Sequence, residues 1–533
     1  MNTTELAFDC IIVGAGPSGL AAAIHLDQLS PRPLAICLLE KGAYPGAHSI
    51  SGAVMDPKGL DSLLPDWRRT LTLPWSTVNR ETFFRLTPNR AYPLPHFNLF
   101  GNRGAILISL GQLCRHLAQQ AQQAGVHIFS GFAACQPILD PHGTLRGVIT
   151  GDMGKDSQGK PLANFQPGVR LTAPITLIAE GARGHLASTL IRHFHLDRGK
   201  TPQHFALGIK EVWEIPPEKS QPGTVEHVVG WPLGHGNNGG GFIYHSQKGR
   251  LDVGLVVNLN YTNLMTDPMA LLQCLKTHPL LQERLTGGSP SEAGAKVLVK
   301  GGIQSLPFPA FPGGLLLGDA AGFLDGARMK GIDHALLSGM AAAQTVIALR
   351  DTPATTAQWG HHYWQQLQTT ILPTLRRARN VQPGLELGLG WGMIHGLVDQ
   401  KLLRGTAPWT WRCHHPDRSP RKKGGPCTQP HPCHGPMVID RDQMLFLAGV
   451  RHRENQPPHV HLERTTRENH AISPEHHYCP AGVFSPTGNP EKQDIRLRPH
   501  RCLHCQTCVI KDPDAAITWT PPEGGSGPHY RSL

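Results

Sequence analysis

Near the end of the 533-residue chain, three thiols stand at two-residue gaps: Cys502-Leu-His-Cys505-Gln-Thr-Cys508. Steps of this length let one loop wrap a metal cluster and supply three corners of a cube, with backbone N–H groups turned toward the sulfurs. A fourth ligand must come from elsewhere, and Cys479, followed by Pro480, lies upstream. Bacterial iron–sulfur runs carry such a Cys-Pro beside the triple run, after it and not before it as here. Zinc normally takes separated pairs of ligands. The expectation is a 4Fe–4S cluster on Cys479, Cys502, Cys505 and Cys508.

At the other end, Gly14-Ala-Gly16-Pro-Ser-Gly19 follows the β-branched run Phe8-Asp-Cys-Ile-Ile-Val13 and opens a helix-forming stretch. The first glycine permits a tight turn, the second lets the backbone approach a pyrophosphate, and the third lets helix pack on strand. A second apolar run, Leu34 to Leu39, ends at Glu40, an acid about 20–26 residues past the glycines and able to bind ribose hydroxyls. Further on, Gly313-Gly-Leu-Leu-Leu-Gly318-Asp319-Ala-Ala-Gly322 is another strand leading toward a helix. This is the pattern of a second flavin contact, with Asp319 near the ribityl chain and the following helix N-terminus supporting negative charge at the ring. Between them, Ile175-Thr-Leu-Ile-Ala-Glu180-Gly181-Ala-Arg-Gly184 closes a third strand on glycine. Three such junctions predict an FAD domain assembled from discontinuous segments.

Hydrophobic residues are 39% and charged residues 17%, so the chain can build a core and does not read as disordered. Net charge is +11, which favours an anionic partner: a membrane surface or an acidic protein, with nucleic acid not expected. The 31 histidines add positive charge below about pH 6.5. No run of eighteen apolar residues occurs, which excludes a spanning helix. The start Met1-Asn-Thr-Thr-Glu-Leu carries neither a signal peptide nor an Arg-rich transit segment. Twelve cysteines in such a chain read as metal ligands or buried thiols, not disulfides. Cys413, His414, His415, Cys427, His431, Cys433 and His434 fit no regular zinc spacing and sit in a Pro/Lys/Arg-rich stretch, read as a solvated loop. Cys10, Cys37, Cys114, Cys135 and Cys274 read as buried small hydrophobes.

With flavin at one end and a cluster at the other, the chain resembles the electron transfer flavoprotein–ubiquinone oxidoreductase family over nearly its whole length. The resemblance is carried by Glu40-Lys-Gly-Ala-Tyr-Pro-Gly-Ala-His48-Ser-Ile-Ser-Gly52, Gly230-Trp-Pro-Leu, Gly239-Gly240-Gly-Phe-Ile-Tyr-His245, Lys330-Gly-Ile-Asp-His-Ala, Cys479-Pro-Ala-Gly-Val, Ile510-Lys-Asp-Pro and Pro522-Glu-Gly-Gly-Ser-Gly-Pro. It implies an α/β and α+β molecule: a Rossmann-like, glutathione-reductase-like FAD domain in discontinuous segments, an inserted quinone-binding domain and a C-terminal ferredoxin-like cluster domain. It also implies single electrons taken from reduced electron transfer flavoprotein and passed through a 4Fe–4S cluster and FAD to membrane ubiquinone. The family's quinone-contacting glycines carry over to Gly239 and Gly240, where a flat ring can approach the backbone. His48, Asp333 and His334 are candidates for relaying protons to quinol.

Two features depart from the family. Gly318-Asp319-Ala-Ala-Gly stands where mitochondrial members carry Cys-Ser-Pro after the glycine, which brings it nearer to geranylgeranyl reductases. Reduction of isoprenoid double bonds is therefore the alternative activity. The basic loop 412–436 also differs, so no partner contact carries over there.

The expected division is 1–75, 106–190 and 306–385 for FAD, 76–105 for membrane and quinone contact, and 191–305 for ubiquinone. Residues 386–475 read as linker and partner-facing region, and 476–533 as the cluster domain. Two segments suit an apolar entry surface for quinone: Tyr92 to Phe100 and the Gly-rich stretch Gly384 to Val398, flanked by Arg376, Arg377, Arg379, Lys401 and Arg404. The expectation is monotopic attachment to the inner membrane, on the cytoplasmic face of a bacterium, or alternatively on the matrix face in a mitochondrion.

Overall fold

The computed structural model describes residues 5–52, 54–95, 100–234, 238–261, 263–351, 355–387, 389–413, 417, 435–463, 474–486 and 495–533. His414, His415, Cys427, His431, Cys433 and His434 of the basic loop lie outside the described residues, as do residues 1–4 and the centre of the 92–100 segment.

The β-branched runs form the buried strands their composition requires. Ile175–Ile178, Cys10–Val13, Ile36–Glu40 and His127–Ser130 pair in parallel in a six-stranded sheet, which Gly314–Leu316 and Ala310–Phe311 complete at one edge. Parallel strands covered on both faces are apolar throughout, and Cys10–Val13 and Ile36–Glu40 are buried at every position. Pro17 starts the helix Pro17–Leu29, where a missing N–H costs nothing. The helix Ile332–Leu349 lies across it. Gly339 makes that crossing close, since a Cβ there would stand 2.2 Å from the Ser18 carbonyl oxygen. By length and apolarity Ile332–Leu349 could span a membrane, yet most of it is buried in the protein core.

A second, seven-stranded sheet runs in the order Ser289–Val299, Phe205–Glu214, Arg250–Asn258, Gly239–Gln247, Thr224–Gly230, Arg80–Thr87 and Arg90–Leu94. Its last two strands come from the 76–105 segment. Helices Pro268–Lys276 and Pro279–Leu285 cover one face, where Leu275 meets Gly241. Successive strand residues point to opposite faces, so the other face presents Gly240, Phe242 and Tyr244.

The C-terminal part is built from two small sheets, Val460–Leu462 with Ile517–Trp519 and Phe484–Pro486 with Ile495–Leu497, plus short helices Pro474–Tyr478 and Thr507–Lys511. It shares one hydrophobic core with the seven-stranded sheet. The terminal tail is stitched to that sheet. Glu292 accepts from the Arg531 and Ser532 amides at 2.9 and 3.0 Å, and the Tyr530 ring lies where a Cβ on Gly294 would stand. Cys274 is disulfide-bonded, against the expectation of a lone buried thiol.

Candidate functional site

One cavity connects the two chemistries read from the sequence. Its wall runs from Gly14, Gly16 and Ser18 through Glu40, His48, Glu180 and Asp319 to His504, Cys505 and Gln506, with Phe242 and Tyr244 of the seven-stranded sheet along one side.

At the glycine end, each glycine has a steric reason. Gly14 has φ +110°, and a Cβ there would stand 2.4 Å from the Ala179 carbonyl oxygen. A Cβ on Gly19 would stand 2.0 Å from the Gly14 oxygen, so Gly19 sets the packing of helix on loop. Gly16 faces open space, the room an approaching pyrophosphate needs. Glu40 closes this loop, accepting from Ala15 N at 3.0 Å and from Gly42 N at 2.7 Å.

The second flavin motif differs from expectation in one respect. Gly318–Ala320 is a short 3-10 turn, not the start of a helix. The long helix begins only at Ile332, and it is Gly331, Ile332 and Ala335 of its N-terminal turn that reach the cavity. Asp319 lines the wall, and burial pushes its carboxyl up to about 6 against the pull of Lys296 and His334. Gly318 lies behind it, its amide donating to Ser338 Oγ at 2.9 Å.

Sequence reading missed the cations of this site. Lys41, Lys210, Lys296 and Lys300 all line the cavity, and burial lowers Lys41 and Lys300 to about 8. Lys296 Nζ is held on the His48 carbonyl oxygen at 2.8 Å. Lys210 and Lys296 each stand singly in the strands Phe205–Glu214 and Ser289–Val299, and only the pairing of those strands turns them into the cavity. Buried cations beside an open glycine loop fit a ligand with a pyrophosphate and an electron-rich ring, so the residues present suit FAD.

At the cysteine end, Cys479, Cys502, Cys505 and Cys508 are all buried. Burial first, and then mutual repulsion, drives Cys502 and Cys508 far up, and the same causes put Cys505 at about 11. The amides of Ala481, Gly482 and Val483 point at Cys479 and pull the other way. His504 N donates to Cys502 Sγ at 3.3 Å, and the Thr507 hydroxyl lies 3.3 Å from Cys505 Sγ. Four buried thiols ringed by N–H donors are a poor apolar core and a good cage for a cationic cluster.

Between the two ends stand His48 and His504, rings edge to face with centroids 5.1 Å apart. Gly527 of the terminal motif fits against both, since a Cβ would stand 2.6 Å from His504 Cε1 and 2.8 Å from His48 Nε2. Burial, with Lys41 and Lys296 nearby, keeps His48 far below its ordinary value and therefore neutral.

The other expected residues lie elsewhere. Asp333 and His334 are not part of the wall. Both ring nitrogens of His334 are engaged, by the Phe323 carbonyl at 2.7 Å and Thr374 Oγ1 at 3.2 Å. Gly239 and Gly240 begin their strand just beyond the lining, with Gly240 opposite Val256, which does line it.

Comparison with known proteins bears on this arrangement. The family model "ETF-QO, ubiquinone-binding" matches residues 205–298, and "Electron transfer flavoprotein-ubiquinone oxidoreductase, 4Fe-4S" matches 435–531. An "NAD(P)-binding Rossmann-like domain" model matches 12–70. The mitochondrial electron transfer flavoprotein-ubiquinone oxidoreductase of Oryza sativa is 40% identical, over 98% of this chain and 93% of its own. The Pseudomonas aeruginosa protein of the same name is 37% identical over the full length of both. The chain belongs to the electron transfer flavoprotein–ubiquinone oxidoreductase family.

Membership settles the cofactor classes. The flavin fold and the 4Fe–4S domain of this family are both present, and relatives occur in mitochondria and bacteria. Among solved structures, a geranylgeranyl bacteriochlorophyll reductase-like protein from Thermoplasma acidophilum aligns with a TM-score of 0.57 at 16% identity. It covers 75% of this chain and 99% of its own. That likeness shows the flavoenzyme fold alone.

Proposed function

We propose that this chain takes electrons from reduced electron transfer flavoprotein and delivers them to ubiquinone drawn from a membrane. The observation that carries the proposal is the single cavity reaching from the glycine loop to Cys505 with the quinone-domain sheet along its side. When bound, FAD supplies two-electron storage and the 4Fe–4S cluster one-electron exchange.

The chain's own residues hold and screen these groups. Gly14, Gly16 and Gly19 admit the pyrophosphate of FAD, Glu40 the ribose, and Gly318 and Asp319 the second flavin contact. Lys41, Lys296 and Lys300 supply positive charge in a cavity away from bulk water. Cys479, Cys502, Cys505 and Cys508 ligate the cluster, and Gly239 and Gly240 offer backbone N–H groups to a quinone carbonyl. Residues 1–75, 106–190 and 306–385 serve FAD, 191–305 the quinone, and 476–533 the cluster.

Quinone access calls for an apolar surface, and helices Val381–Glu386 and Leu389–Leu397 with the turn after them carry one. Leu387, Trp391, Ile394, Leu402 and Trp409 are all exposed. Arg376, Arg377, Lys401 and Arg404 stand exposed around them, each worth about 1 kcal/mol at an anionic surface. Arg379 is withdrawn from this set, because its guanidinium donates to the carbonyls of Gly405 at 2.6 Å and of Ala407. In this reading the protein lies on one face of an inner membrane, cytoplasmic in a bacterium or matrix-side in a mitochondrion. Reduction of isoprenoid double bonds rests on fold likeness alone.

The test is turnover. Purified protein with a flavin-plus-cluster spectrum should form quinol from a ubiquinone analogue when reduced electron transfer flavoprotein is the donor. Polyprenyl reduction without quinol formation would overturn the reading.

A further inference from the structure

Quinol formation consumes two protons; of the residues first considered for their delivery, His48 lines the cavity, while His334 is engaged at both nitrogens and Asp333 stands off the wall. A different line of groups crosses the seven-stranded sheet on the cavity face. We propose that Tyr244, His227 and Glu81 deliver protons to the quinone. This inference rests on the quinone-reducing reading above.

Strand register puts the three on one face. Tyr244 is paired with Val225 and Val225 with Glu81, while His227 is paired with Phe242 and Phe83. Tyr244 is the member that reaches the cavity. It stands two and four residues beyond Phe242 and Gly240 on the same strand face. Phe242 stacks on Tyr244 with centroids 4.8 Å apart. Gly254 opposite permits this, since a Cβ there would stand 2.3 Å from the Phe242 ring.

Behind the phenol, the contacts form a continuous line. Tyr244 Oη lies 3.4 Å from His227 Nδ1, and His227 Nε2 lies 3.3 Å from Glu81 Oε1. The two ring nitrogens therefore face two different partners, a phenol and a carboxylate, the arrangement by which an imidazole shuttles a proton. Asn102 fixes the geometry. Its Nδ2 lies 2.7 Å from Glu81 Oε1 and 3.2 Å from His227 Nε2, and its Oδ1 accepts from Lys330 Nζ at 2.7 Å. A lysine can only donate, so the amide orientation is determined. Phe100 covers the His227 ring with centroids 4.7 Å apart, and Phe83 flanks it. His227, Tyr244 and Asn102 are buried, and the Glu81 side chain keeps 7% of its surface exposed, which is where water reaches the line.

In each pass the Tyr244 O–H bond breaks as a bond forms from that hydrogen to the quinone oxygen. The phenol oxygen is reprotonated from the imidazole, the imidazole from Glu81, and Glu81 from water. One pass adds one proton to the quinone oxygen facing Tyr244; the opposite oxygen takes its proton from water, and the two electrons come from the reduced flavoprotein donor. Tyr244 is the group that touches substrate; His227 and Glu81 act through it.

The test compares quinone with ferricyanide, an acceptor that takes electrons without protons, using the same donor. In His227→Ala, the ratio of quinone to ferricyanide rates should fall by about tenfold or more, in the range of lost acid–base catalysis, with added imidazole restoring part of it. Tyr244→Phe keeps the ring and its packing and should lower the same ratio. The proposal is overturned if both variants keep the ratio within about twofold of wild type, or if imidazole fails to rescue a His227→Ala protein holding full flavin and cluster. If wild-type protein reduces ferricyanide but never quinone, the functional reading itself has failed, which is a separate result.

Discussion

Lys511 Nζ lies 2.8 Å from the Tyr261 carbonyl oxygen and 4.0 Å over the centre of the Tyr261 ring. It also donates to the Leu259 oxygen at 2.7 Å and the Asp417 oxygen at 3.1 Å. One buried lysine, three residues past Cys508, thus ties the cysteine segment to the end of the quinone-domain sheet. Replacing it with methionine removes the donor that these three carbonyls share, and Lys511→Met should cost about 2–4 kcal/mol of stability. Urea denaturation followed by cluster absorbance should show the cysteine segment releasing earlier than in wild type.

The glycine loop makes a sharper steric prediction. Because a Cβ on Gly19 would overlap the Gly14 carbonyl oxygen, even Gly19→Ala must push the helix off the strand, at roughly 1–3 kcal/mol. Flavin content per protein should drop severely. Gly16→Ala has open space around it in the free protein, so it should fold normally and lose affinity only when FAD is present. Equal stability of the two variants without flavin would contradict the loop geometry.

Asp319 gives a pH signature. Its folded value of about 6 lies above the ordinary 3.8 because burial disfavours the charge. The folded chain therefore holds a proton that the unfolded chain has already lost. That contribution is full below about pH 4 and disappears as pH rises through about 6. Flavin-free wild type should lose stability across this window relative to Asp319→Asn, measured by urea denaturation at steps from pH 4 to pH 7. Parallel curves for the two proteins would contradict the assignment.

Membrane attachment should depend on a few apolar side chains. Leu402 is 76% exposed and Trp391 58% exposed, so replacing either with Asp costs little in folding. Flotation with anionic liposomes should fall several-fold for the Trp391→Asp, Leu402→Asp double variant, and salt should weaken wild-type binding as head-group attraction is screened. Unchanged flotation would move the attachment surface elsewhere.

Much of this site was legible in sequence because local rules govern it. The spacing of Cys502, Cys505 and Cys508 and the order of strand, glycines, helix and acid around Gly14 depend on backbone geometry within a few residues. The lysines and the Tyr244 line were not legible in that way. Lys296 reaches the cavity, and His227 meets Glu81, only through strand register, and an isolated lysine or histidine in a strand says nothing of what it faces. The places of Asp333 and His334 also depend on the fold. A helix expected directly after Asp319 begins instead at Ile332, and both residues are buried in its first turn off the cavity wall, whereas His48 of the same set lines it. Arg379 likewise reads as a free surface charge until the fold brings the carbonyls of Gly405 and Ala407 to it.

The central claim is that electrons reach quinone by way of a cluster held by the four cysteines. It is tested most directly by the rate of quinol formation from reduced electron transfer flavoprotein in Cys505→Ala, prepared with full FAD content. That variant should lose the cluster's spectroscopic signal and fall in rate by about a hundredfold or more. A variant that lacks the cluster signal yet turns over at the wild-type rate would contradict it.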